Sequence, residues 1–124
     1  MLKMTPNQNR TIHRVISVFG EKNQQMQAIE ELMELQRAVF ENVHRGTDNR
    51  DNIVEEIADV EIMLTQLKRI HNIDQNEIEA IQEHKLNRLD HTIEKYLAKQ
   101  QSKNNSIESK QVDIQIDRNT SNGR

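Results

Sequence analysis

Apolar residues recur along this chain at intervals of three and four, the spacing of one face of a helix. In the first segment Ile12, Val15, Ile16 and Phe19 keep that spacing. Thr5 suits an N-cap there, Pro6 the first helical position and Gly20 the stop. A second helix is expected from about Lys22 to Val43. Its apolar arc (Met26, Ala28, Ile29, Leu32, Met33, Leu35, Val39, Phe40, Val43) covers roughly half the circumference. The stretch from His44 to Asp51 has turn chemistry, with Gly46 suited to a helix end and Asp48 or Asp51 to the next cap. A third helix carries Ile53, Ile57, Val60, Leu64 and Leu67 on one face and runs to about His71. Its smaller strip of Val54, Ala58 and Ile62 faces away, so burial on two sides and a subunit interface are expected. Asp74 and Glu77 form a capping pattern for a fourth helix, with a stripe of Ile78, Ile81, Leu86, Leu89, Ile93, Tyr96 and Leu97.

After about Gln100 the composition turns to Ser, Asn, Gln, Lys and Asp. The expected organisation is a helical domain over residues 1–100 and a flexible, mostly disordered polar tail over 101–124. In the tail Val112, Ile114 and Ile116 alternate with polar residues, a pattern that would let it add a strand to a partner. The fold class expected is all-α, of four-helix-bundle type.

Composition adds an oligomer to this picture. Of 124 residues 34% are hydrophobic and 2% aromatic, so one copy makes a thin core. There is no cysteine, which excludes a disulfide framework, a thiolate metal site and a Cys nucleophile. A net charge of −3 argues against a general nucleic-acid binder. No apolar run approaches the about 20 residues of a membrane span. The first residues lack the apolar stretch of a signal peptide, and the expected location is the cytoplasm, including that of an infected host cell.

Charged residues interrupt two of the apolar stripes. With Ile53 as zero, Glu56 falls at about 300°, inside the stripe of the third helix, and Asp59 at about 240°, at its edge. A carboxylate on a core face is costly unless a cation or hydrogen bonds compensate it. Lys85 falls at about 340° from Ile78 and Arg88 at about 280°, within and beside the fourth stripe. The ordinary readings are a structural ion pair and snorkelling cations. On the second helix Glu30, Glu31 and Glu34 lie opposite the apolar arc, which makes them solvent-facing. Glu31 and Glu34 stand i and i+3, so both reach one point beside the helix.

A short loop makes the second and third helices antiparallel neighbours. Glu34 lies ten residues before His44 and Glu56 ten after Gly46, so they stand at similar height. Glu31, Glu34, Glu56 and Asp59 then converge if the facing edges carry them. Four carboxylates without histidine or thiolate suit a hard divalent ion, magnesium with manganese as a substitute. Magnesium also takes phosphate oxygens from a substrate, for which Lys85 and Arg88 are candidate contacts. These parts suit metal-assisted hydrolysis of a phosphoanhydride, a carboxylate orienting the water. A di-iron reading needs two Glu-x-x-His pairs, and the sequence offers one, Glu41 and His44.

Glu30-Glu31-Leu32-Met33-Glu34, followed by Glu56-Ile57-Ala58-Asp59, closely resembles the EExxE and ExxD motifs of MazG-like all-α nucleoside triphosphate pyrophosphohydrolases. The likeness covers about residues 10–98 and takes in Gln25 to Ile29, Glu61 to Leu64 and Lys85 to Leu89. It is closest to the short, single-domain forms common in phage genomes. The resemblance implies hydrolysis of an NTP or dNTP to the monophosphate and pyrophosphate. It implies magnesium held by Glu31, Glu34, Glu56 and Asp59, which together are the catalytic group, with Glu30 a neighbour. It also implies phosphate contacts from Lys85 and Arg88, and a homodimer or homotetramer with helices of two subunits around each site. Phe19, Phe40 and Tyr96 are the only aromatics, so stacking on a base is limited. The alternative is a non-catalytic helical module that engages a partner protein or sequesters a nucleotide.

Overall fold

The computed structural model describes residues 3–121, and the side-chain surroundings of residues 3–115. The expectations for residues 1–2 and 122–124 lie outside the described residues. The described chain is all helical: α1 (Pro6–Phe19), α2 (Glu21–Arg45), α3 (Arg50–Ile70) and α4 (Gln75–Ser121). It divides into two units, Met1–Gln75 and Asn76–Arg124.

The helix ends of the first unit follow local chemistry. Thr5 Oγ1 accepts from the Gln8 amide (3.2 Å) and Gln8 Oε1 accepts from the Thr5 amide (2.9 Å), a reciprocal cap with Pro6 at the first helical position. Gly20 alone separates α1 from α2, at φ 91°, a conformation that side chains disfavour. Gly46 closes α2 at φ 65° in the left-handed region. Asn72 does the same for α3 at φ 53°. There the Ile73 amide bonds the Lys68 carbonyl (2.7 Å) and the Asn72 amide bonds that of Arg69 (3.2 Å). The residue before α3 is Asn49, rather than Asp48 or Asp51 as a cap, and its side chain does not cap α3. Its amide instead donates to the Ala38 carbonyl (2.9 Å), fastening the loop to α2.

Packing in this unit centres on the α2–α3 hairpin, with α1 against both helices. On α2 the covered stripe is Gln24, Ala28, Glu31, Leu35 and Ala38. Small residues let the helices approach, and Ala38 is 1% exposed. On α3 the covered stripe is Ile53, Glu56, Val60, Met63, Gln66, Leu67 and Ile70. Its centre is turned by roughly 40° from the middle of the apolar arc toward Glu56. The arc expected to be the core of α2 is mostly uncovered, with Ile29, Leu32, Met33, Phe40 and Val43 all exposed. Across the seam Gln24 Nε2 donates to Gln66 Oε1 (2.7 Å), with both residues buried. Arg69 holds α1 through the Asn9 carbonyl (3.1 Å) and the Asn9 side chain.

The second unit is helix α4. The helix does not end at Gln100, so the expected flexible tail is corrected over 101–121, which continue α4. Between Gln75 and Ser121 there is neither Gly nor Pro, and Glu, Lys and Gln are good helix formers. Polar composition limits burial; it does not by itself interrupt hydrogen bonding along a helix. Ile81, Leu86, Leu89, Ile93, Tyr96 and Leu97 are all exposed, so the expected fourth stripe is not a core stripe within one chain. Among the described residues no helix is long and apolar enough to cross a membrane.

Candidate metal centre

The register of the α2–α3 hairpin is set at one end by Asn49 on Ala38 and at the other by Gln24 on Gln66. That register brings Glu31 level with Glu56 and Asp59. One carboxylate oxygen from each of these three residues lies within 4.8 Å of the other two. Glu56 and Asp59 share a side of α3 because they stand i and i+3. Glu31 and Glu56 are half-buried, and Asp59 is exposed.

Glu56 is the strained member. Its Oε2 is buried without a hydrogen-bond partner among the described residues. Desolvation, and then the negative charges of Asp59, Glu31, Glu34 and Glu55, push its pKa above the usual 4.5 of a glutamate. Glu31 has one partner, with Gln27 Nε2 donating to its Oε1 (2.9 Å). Among the described residues no cationic side chain forms an ion pair with Glu31, Glu56 or Asp59. Three converging carboxylates without a counter-charge suit a proton or a cation between them. An all-oxygen donor set fits a hard divalent ion.

The placement of the expected residues is uneven. Glu31 departs from the periodicity reading: it lies in the covered stripe of α2, because the helix turns its small and polar side toward α3. Glu34 stays exposed and outside the close group, yet its charge is felt by Glu56. Glu30 is exposed. Lys85 and Arg88 are exposed residues of α4, in the other unit. Glu41 pairs with Arg37 (3.4 Å) and the His44 ring lies 4.6 Å from that of Phe40, so the Glu-x-x-His pair takes no part in the acidic group. Sequence reasoning missed Gln24 and Gln66, the buried amide pair on the same seam. Gln24 stands four before Ala28 and seven before Glu31, the spacing that a search for polar residues in register with the acidic motif would have found.

Comparison with family models, with curated proteins and with solved structures finds no match for this chain.

Proposed function

We propose that this chain is a magnesium-dependent nucleotide pyrophosphohydrolase of the MazG-like kind, acting on an NTP or dNTP. The observation that carries the reading is the orphaned, buried Oε2 of Glu56 beside Glu31 and Asp59. A structural ion-pair network would supply a cation there, and the described residues supply none. The acidic motifs stand at the separation that the resemblance requires, and the hairpin register levels them.

Glu31, Glu56 and Asp59 would hold the cation, with Glu34 beside them as fourth ligand or as the group that orients water. A magnesium ion held there would supply charge neutralisation and polarisation of phosphoryl oxygens. Water attacks the α-phosphorus, the bond to the bridging oxygen breaks, and the products are a nucleoside monophosphate and pyrophosphate. The attacking water loses its proton to a carboxylate of the group. Lys85 and Arg88 are the proposed phosphate contacts. The uncovered apolar faces of α2 and α3 support a homodimer or homotetramer, since isolated chains rarely leave such area in water; the cytoplasm is its proposed location.

The test is pyrophosphate release with magnesium across the common NTPs and dNTPs, with Glu56→Gln alongside. Monophosphate plus pyrophosphate, lost in the variant, is the expected result. Orthophosphate as product would break the reading. The same apolar faces also suit a non-catalytic module that presents helices to a partner protein. No turnover by a folded, magnesium-binding chain would favour that second reading.

A further inference from the structure

We propose that residues 86–114 of α4 pair with the same segment of a second copy of this chain as an antiparallel two-stranded coiled coil. Alternate steps of three and four from Leu86 define a seam through Leu89, Ile93, Tyr96, Gln100, Lys103, Ile107, Lys110 and Ile114. Six of these nine seam positions are apolar, against three of the other 20 residues in the segment. The period is therefore seven, and it runs through the change of composition at Gln100. Such a repeat drifts by about 20° per heptad on a straight helix and is kept in contact by supercoiling around a partner. The segment spans about 43 Å, four heptads, enough for a stable seam. Every apolar seam residue is exposed, from 47% at Ile107 to 61% at Leu86.

Charge and layer matching name the occupant. A parallel, in-register pair would set Lys103 against Lys103 and Lys110 against Lys110, like charges on the seam. An antiparallel pair with Gln100 level with Lys103 of the other copy avoids both. Leu89 then meets Ile114, and Tyr96 meets Ile107, apolar against apolar. Lys110 comes level with Ile93, whose helix carries Asp90 and Glu94 within one turn, so its ammonium meets acid on the other copy. The segment is thus complementary to itself in one orientation. This inference does not depend on the acidic group of α2 and α3.

The chain has no cysteine, so single thiols report the pairing directly. Full-length Ile93→Cys and Lys110→Cys proteins, labelled to differ in mass, are mixed and oxidised gently. Asn105→Cys, on the outer side of the helix, is the control. The expected result is a mixed 93–110 disulfide forming at least tenfold faster than the 105–105 product. Dominant 93–93 and 110–110 products would overturn the antiparallel proposal in favour of a parallel pair. Rates no faster than those of the control would overturn self-pairing and leave the seam to a different protein.

Discussion

Glu31 of α2 and Glu56 of α3 face one another across a helical hairpin, each within the stripe by which its helix packs on the other, with carboxylate oxygens no more than 4.8 Å apart. Two acids in one seam repel, and Asp59 adds a third charge. A substitution that removes charge without changing shape should therefore relieve the fold and disable the site. Glu56→Gln is expected to raise the melting temperature of the metal-free protein. It should weaken magnesium binding by at least about 100-fold, the upper end of the cost of losing an outer-sphere partner. Calorimetric titration and thermal melts on the two proteins check both effects. A lower melting temperature for the variant would show that Glu56 holds the fold together through a bond not seen here.

The sign of the pH dependence follows from the same group. Glu56 in the folded chain has its pKa raised above the ordinary 4.5, so the folded state binds this proton more tightly than the unfolded state. Its ionisation therefore subtracts stability as pH rises through the folded pKa, and stability returns as pH falls toward the unfolded value. In chelator, the melting temperature is expected to increase between pH 7 and mildly acid pH, and Glu56→Gln should flatten that part of the curve. On the proposed function magnesium would bind the ionised group, so it should reverse the trend by stabilising most at neutral pH and losing affinity as pH falls. Melts across this range with chelator and with magnesium decide the matter.

The helices and the acidic motifs were legible in the sequence, but the covered faces were not. Thr5, Pro6, Gly20 and Gly46 mark helix ends by local chemistry, and each serves the expected end. Periodicity finds the widest apolar arc and assumes that one chain buries it. On α2 that assumption fails. Ile29, Met33 and Phe40 stay outside while Gln24, Ala28 and Glu31 meet α3, so Glu31 looked solvent-facing. On α3 the same method placed Glu56 correctly, because Val60, Met63 and Leu67 flank it on either side. Beyond Gln100 low hydrophobicity suggests disorder, although nothing between Lys103 and Gln115 interrupts a helix.

The buried amide pair offers a test of the hairpin register. Gln66 is 3% exposed and accepts from Gln24 Nε2, while its own Nε2 lies 3.9 Å from Met63 Sδ as a donor. Gln66→Leu would leave the Gln24 amide buried without its partner, at a cost of about 1–3 kcal/mol. Replacing both by Leu should recover most of that loss. A double-mutant cycle in urea measures it, with a coupling energy of about 1 kcal/mol expected for a bond of this kind. Additive single effects would mean that the two amides are not bonded in solution.

Asn72 carries the last prediction, which concerns how α3 ends. It is the one non-glycine residue at positive φ among the described residues, at 53°. The carbonyl of Lys68, in the last turn of α3, meets the Ile73 amide because the chain turns left-handed at Asn72. Asparagine tolerates that conformation better than residues with an apolar branch, and glycine tolerates it without penalty. Asn72→Ala is therefore expected to cost about 1 kcal/mol, and Asn72→Gly to be neutral or slightly stabilising, offset by the greater freedom of glycine in the unfolded chain. Because the turn is remote in sequence from the acidic group, neither change should alter magnesium affinity. Chemical denaturation beside magnesium titration reads both quantities from the same proteins. Equal losses from alanine and glycine would show that the Asn72 side chain, rather than its backbone conformation, secures the turn.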